Sequence, residues 1–201
     1  MKNKLLALLL TVATLPAFAG VDGYLGYSSD YIWRGVSQTS GSAAMSGELS
    51  VSNGGLYGGV WASEVDFGDE ATYEMDLFLG YELMVSDKFS LDVGVIQYNW
   101  DKGYDDVEEM FAKVNLKNVS VAYYVDMDDS EKDYMEMSVS LPFVKFMDVS
   151  VDYGMFDSEN DFWALSMSKS MGNWDMVFYM TEDAKQDQFI DNASLAIFYN
   201  F

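Results

Sequence analysis

Neither cysteine nor histidine occurs in the chain, and proline occurs only twice. The first two absences remove disulfides, thiol nucleophiles, thiolate and imidazole metal sites, and every catalytic arrangement built on an imidazole base. Positive charge is scarce as well: 11 Lys and Arg stand against 33 Asp and Glu, a formal charge of -22. Nucleic acid is therefore excluded as a partner, because phosphate contacts need clustered cations. Beyond residue 20 no apolar run approaches the roughly 20 residues of a membrane-spanning helix. What is abundant is aromatic residues, at 16%, and glycine, with 16 residues, in a chain that is half hydrophobic. That mixture favours strands joined by glycine and polar turns over a helical bundle.

Residues 1–19 carry Lys2 and Lys4, an apolar run from Leu5 to about Leu15, and the small residues Ala17 and Ala19 around Phe18. This is the pattern of a secretory signal peptide with an A-x-A cleavage site, and the run is too short for a membrane anchor. The expected organisation is a cleaved signal over residues 1–19 and one domain over residues 20–201.

In that domain the apolar residues recur at every second position, which places them on one face of a strand. Met45, Leu49 and Val51 alternate with Ser46, Glu48 and Ser50, and Met75, Leu77 and Leu79 alternate with Glu74, Asp76 and Phe78. The pattern returns from Phe89, Met110, Val119, Met135, Val149, Trp163, Trp174 and Leu195. With a first strand over Val21 to Arg34 and another over Leu56 to Val65, the count is about twelve. Spread over residues 20–201, that leaves about 10 residues for a tilted membrane strand and about 5 for each connection. The predicted fold is all-β, an antiparallel transmembrane β-barrel of about 12 strands; a soluble sandwich or lipocalin-like barrel is the rival.

Connections sort into two kinds, as a barrel with long loops at one end and short turns at the other requires. Asn53 to Gly55, Ser86 to Lys88, Lys117 to Asn118, Pro142 to Phe146 and Lys169 to Asn173 are short. Val36 to Ala43, Asp66 to Thr72, Asn99 to Val107, Asp126 to Asp133, Asp157 to Asn160 and Glu182 to Ile190 form the other set, and apart from the first they are acidic. Phe201 closes an alternation of Leu195, Ile197 and Tyr199, the form of the signal that barrel assembly machinery reads; the expected location is the bacterial outer membrane, beside lipid and lipopolysaccharide.

Ser29-Asp30-Tyr31-Ile32-Trp33-Arg34-Gly35-Val36-Ser37-Gln38, followed by Leu56 to Ser63, resembles the TorF-type porins, also called the Gcw conserved-hypothetical family. The likeness runs over the chain after residue 19. It implies an outer-membrane barrel of the porin kind and offers no catalytic residues to carry over.

Strand parity puts Asp30, Arg34, Glu74, Asp76, Glu82, Asp92, Lys113, Asp148 and Asp152 on the lumenal face. Arg34 and Lys113 are the only cations there, and Asp30, four residues from Arg34, suggests either an ion-paired brace or a selectivity element. The five tryptophans, Trp33, Trp61, Trp100, Trp163 and Trp174, suit an interfacial girdle. The Asp126 to Asp133 run fails the EF-hand template, with Glu131 where glycine is needed and Met137 where glutamate is needed, leaving at most loosely bound divalent cations. No cofactor is expected. The leading expectation is passive diffusion of small cationic or neutral solutes through an acidic lumen. Inward Tyr24, Phe78, Tyr98, Phe111, Tyr124, Tyr134 and Tyr179 narrow that lumen, so the alternative is a closed structural or interaction barrel with acidic surface loops. Catalysis is the weakest reading, because outer-membrane hydrolases commonly depend on histidine.

Overall fold

A computed structural model describes residues 20–129, 132–156, 161–184 and 190–201. Residues 1–19, where a signal peptide is expected, Ser130 and Glu131 of the acidic run, the expected Asp157 to Asn160 loop and residues 185–189 lie outside the described residues. Strands β1 (Gly20–Ser28), β2 (Ile32–Trp33), β3 (Val36–Ser37), β4 (Ala44–Asn53), β5 (Leu56–Glu64), β6 (Tyr73–Ser86) and β7 (Phe89–Trp100) make up the first half. They are followed by β8 (Val107–Leu116), β9 (Val119–Asp126), β10 (Tyr134–Ser140), β11 (Asp148–Phe156), β12 (Phe162–Met171), β13 (Trp174–Asp183) and β14 (Asn192–Asn200). All but β2 and β3 form one closed antiparallel barrel in simple up-and-down order, and β1 closes it by pairing with both β4 and β14. Closure leaves no free edge, so every strand's backbone polar groups meet a partner without water.

The alternation read from the sequence decides which face points where. Leu25, Val93, Leu116 and Leu195 point outward, and Leu25 and Val93 are 59% and 51% exposed. Buried on the opposite faces are Glu74, Asp76, Gln97, Glu109 and Ser194. A soluble barrel buries its apolar face in a core. Here the distribution is reversed, as in a barrel surrounded by lipid.

Turns at one end are tight, such as Gly54–Gly55, where both residues have positive φ and a β-carbon on Gly55 would lie 2.4 Å from the Glu82 carbonyl oxygen. Connections at the other end are longer, and the exception at the first end is the stretch of residues 141–147 between β10 and β11, which exceeds the expected Pro142 to Phe146. We call these the turn end and the loop end. Strands β6 and β7 share a register shift between Met84 and Ser86 at the turn end. β12 runs to Met171, so the turn before β13 is shorter than the expected Lys169 to Asn173.

One expected element is different. The first strand does not reach Arg34: β1 stops at Ser28, and residues 29–43 contain the separate two-stranded ribbon β2–β3. Asp30 and Arg34 therefore do not share a strand face. The reason is the turn at Arg34 and Gly35, with φ of 46° and 84°, which reverses the chain between Trp33 and Val36. Positive φ at both central residues is the primed geometry that matches the twist of a two-residue hairpin.

Candidate functional site

Residues 29–43 fold into the bore at the loop end. Their root is an internal set of hydrogen bonds. Asp30 Oδ1 accepts from Ser37 Oγ at 2.6 Å and from Thr39 Oγ1 at 2.8 Å, and the Tyr31 N–H donates to Thr39 Oγ1 at 3.1 Å. Asp30 and Thr39 are both buried. Short polar side chains that satisfy neighbouring backbone groups stabilise such compact reversals.

From this root the hairpin reaches across to the barrel wall. Tyr31 packs on Trp61 of β5 with ring centroids 5.2 Å apart and donates its hydroxyl to Glu74 of β6 at 3.2 Å. Trp33 meets Tyr98 of β7 edge-on at 5.6 Å. The Gly35 carbonyl accepts from Asn192 Nδ2 of β14 at 2.8 Å and from Thr181 Oγ1 of β13 at 3.2 Å. Ser194 Oγ of β14 donates to the Asp30 carbonyl at 2.6 Å. A β-carbon on Gly35 would come within 2.7 Å of the Phe162 ring of β12, so only glycine fits there.

Arg34 occupies the tip. Its guanidinium makes two parallel hydrogen bonds to Glu109 of β8, Nη1 to Oε1 at 2.7 Å and Nη2 to Oε2 at 2.6 Å, with both side chains less than a tenth exposed. Tyr98 adds its hydroxyl to Glu109 Oε2 at 2.9 Å. The guanidinium carbon lies 4.3 Å from the Trp33 ring centroid, 4.7 Å from Tyr124 of β9, 4.2 Å from Tyr134 of β10 and 5.9 Å from Phe156 of β11. The planar, delocalised cation suits both a two-point carboxylate contact and aromatic faces. Through these contacts residues 29–43 touch every strand from β5 to β14.

A cavity of about 590 Å³ extends below the hairpin, lined by Glu48, Asp76, Glu136 and Asp152 together with Arg34 and Lys113. A second, of about 300 Å³, lies at the loop end between the hairpin and Asp161, Asp183 and Asp191, and Arg34 lines both. Of the two cations, Arg34 is paired with Glu109, and Lys113 stands cross-strand from Asp92, whose carboxylate accepts the Tyr57 hydroxyl at 2.9 Å. Asp76 Oδ1 is buried with no hydrogen-bond partner among the described residues.

The expected lumenal residues thus divide into groups. Arg34, Asp76, Lys113 and Asp152 line the main cavity, and Glu74 is buried beside Tyr31. Asp30 belongs to the hairpin root. Asp92 and Glu82 are half-buried lower in the bore, and Asp148 is exposed at the turn end. At the chain's end Tyr199 packs on Trp174 at 4.9 Å, and the Phe201 N–H donates to the Gly23 carbonyl at 3.0 Å.

The tryptophan girdle is also revised. Trp163 and Trp174 are exposed as expected. Trp33 is in the hairpin, Trp61 points inward to donate to the Tyr24 hydroxyl at 2.7 Å, and Trp100 packs against Tyr98 and Tyr104. Glu48, Glu109 and Glu136 are absent from the lumenal set expected from the sequence, although parity, as with Met110 and Ala112 on either side of Glu109 and Phe111, puts them inside.

Beyond the strands, carboxylates brace the loops. Asp69 accepts from the Tyr104 hydroxyl and the Ala71 N–H, and these bonds hold its carboxyl below the usual range. Asp101 accepts from the Thr72 N–H and Oγ1, each at 2.8 Å, and is lowered for the same reason. In the acidic run, Asp126 Oδ1 accepts the N–H groups of Asp128 and Asp129, so that carboxylate serves the turn itself. Among the described residues no group of three or more acidic side chains is placed to hold a metal ion.

The family described as "Bacterial protein of unknown function (Gcw_chp)" matches residues 18–199. No curated protein sequence matches the chain. Among solved structures, the chain is similar to the KdgM porin in complex with disordered oligogalacturonate, with a TM-score of 0.63 at 10% identity over 90% of this chain and 99% of that one. It is also similar to a protein from a study of in-meso crystallization of membrane proteins, with a TM-score of 0.59 at 9% identity over 90% of this chain and 83% of that one. Outer membrane phospholipase A from Escherichia coli aligns at a TM-score of 0.46 and 10% identity, over 89% of this chain and 88% of that one. At these identities the likeness is one of fold.

Proposed function

The chain belongs to the Gcw_chp family of bacterial proteins, and from that premise together with its barrel we propose that it is an outer-membrane diffusion channel for small cationic or neutral solutes. One observation carries the solute class: the cavity below the hairpin is lined by Glu48, Asp76, Glu136 and Asp152, while the cations beside them face Glu109 and Asp92. Carboxylates inside low-dielectric walls concentrate cations and repel anions. Oligogalacturonate, the ligand of the KdgM porin, is a polyanion; the carboxylates here support the opposite preference. The stretch that resembles TorF-type porins, residues 29–38, forms most of the inward hairpin, which supports a porin-like role for it as the constriction. Lipid and lipopolysaccharide would cover the apolar face, and residues 1–19 would direct export.

The test is conductance of the folded, purified protein in planar bilayers, with reversal potentials under a salt gradient. Cation-selective steps support the reading, and anion selectivity sinks it. A second reading, a closed structural barrel, is favoured by the contacts of residues 29–43 with every strand from β5 to β14. Absence of conductance, in the protein as it is and after removal of residues 31–38, selects the closed barrel.

A further inference from the structure

The place that Arg34 fills is built largely from the barrel wall. Its barrel-side parts come from five strands: Tyr98, Glu109, Tyr124, Tyr134 and Phe156, on β7 to β11 in turn. None of them belongs to the hairpin. Glu109 offers two oxygens in the plane a guanidinium needs, and Tyr98 donates to one of them, fixing its orientation. Tyr124, Tyr134 and Phe156 supply the aromatic faces. The group that fills this cage is tethered by a backbone with φ of 46° at a non-glycine residue, a region disfavoured by its own β-carbon. The cage also stands where the two cavities meet, since Arg34 lines both.

We infer that this cage is a site for soluble guanidinium-type cations, alkylguanidines and arginine derivatives, which Arg34 occupies in place of a ligand, so that such a solute competes with Arg34 and releases the tip of the hairpin. A free alkylguanidinium can form the same two hydrogen bonds to Glu109 and the same stacking, without the strained tether. An alkylammonium cannot, because it has no planar fork to match the two carboxylate oxygens. Asp161, Asp183 and Asp191 at the loop end raise the local concentration of cations next to the site. The inference deepens the channel reading by naming a solute class, yet the site itself does not depend on the barrel conducting.

The experiment uses the full barrel, folded in detergent, as wild type, Arg34→Ala, Arg34→Gln and Arg34→Ala/Glu109→Gln. Methylguanidinium chloride is the probe, with methylammonium chloride and sodium chloride at equal concentration as controls. Methylguanidinium should raise the thermal midpoint of Arg34→Ala by about 3–6 °C at a tenfold excess over its Kd, where the controls do not. The gain should vanish in the double variant. Arg34→Gln, uncharged and two atoms shorter than arginine, leaves the guanidinium's place beside Glu109 open to the probe and keeps the test open if Arg34→Ala fails to fold. If neither single variant is stabilised beyond the sodium control, or if the double variant gains as much, the site is overturned. In bilayers methylguanidinium should block at least half the current of Arg34→Ala. Stabilisation without conductance in any variant supports the site and overturns the channel reading alone.

Discussion

Thr39 Oγ1 lies 2.8 Å from Asp30 Oδ1, and this buried pair joins the two ends of the segment that folds into the bore. Thr39→Val keeps the shape and removes the hydroxyl, leaving the Asp30 carboxylate and the Tyr31 N–H without it. A buried polar group left unpaired costs about 1–3 kcal/mol. The variant should unfold at lower temperature, and protease should cut within residues 31–38 faster than in the wild type. Unchanged cleavage would mean that the hairpin is held by the wall and not by its root.

Glu109→Gln removes the charge facing the buried Arg34 guanidinium. Breaking one side of a buried ion pair typically costs about 3–5 kcal/mol, whereas removing both members costs much less. Thermal or denaturant unfolding of Glu109→Gln, Arg34→Ala and the double variant should therefore show strong non-additivity. Additive losses would sever the two residues energetically despite their geometry.

Selectivity should follow position in the bore more than the number of carboxylates. Asp152→Asn and Glu136→Gln alter the wall of the main cavity and should lower cation preference in reversal-potential measurements. Asp148→Asn, at the exposed turn end, should change it less, because water and salt screen a charge there. Equal effects would place the selective region lower than the hairpin.

Much of this architecture was legible because period two is a strong signal when one face meets lipid and the other water. Met45, Met75 and Met110 mark outward faces correctly, and with them the inward positions of Glu48, Asp76 and Lys113 follow. The hairpin was not legible. Tyr31, Trp33 and Val36 continue the look of a strand past Ser28, and the turn that reverses them is Arg-Gly, without the Asn-Gly or Asp-Gly pair that announces such hairpins. Parity could find Glu109, but its pairing with a residue 75 positions away is a tertiary fact. Trp61 misled in a similar way, since an aromatic near a strand end serves an inner wall as readily as a membrane interface.

The loop-end carboxylates carry a pH signature. Asp69 and Asp101 are both held below the ordinary carboxylate range by the hydrogen bonds they accept. A lowered folded-state value favours the ordered loop above the unfolded-state pKa, about 3.9, and that advantage disappears as pH falls through the folded-state value. Protease sensitivity of residues 66–72 should stay flat from neutral pH down to about 4 and rise only at lower pH. Asp101→Asn should raise it already at neutral pH.

On the outer face, Val93→Arg places a charge on an apolar surface in the middle of β7. In a bilayer such a substitution costs about 2–4 kcal/mol near the midplane. Refolding into lipid vesicles should report that loss, while Ser90→Arg on the inner face should follow different rules. A neutral effect of Val93→Arg in lipid would contradict the membrane-facing assignment.

The anchoring of Gly35 and Asp30 has a consequence for the order of folding. Their carbonyls are held by Thr181, Asn192 and Ser194, residues 146 to 164 positions further along the chain. Contacts of such sequence separation form slowly, because the intervening chain must be organised before they repay its loss of freedom. The hairpin follows β1 directly, yet it cannot lock until β13 and β14 have arrived and β14 has paired with β1. Docking of the hairpin is thus a late step that registers completion of the ring, and a barrel arrested with its seam open would leave Arg34 hydrated and its cage unfilled.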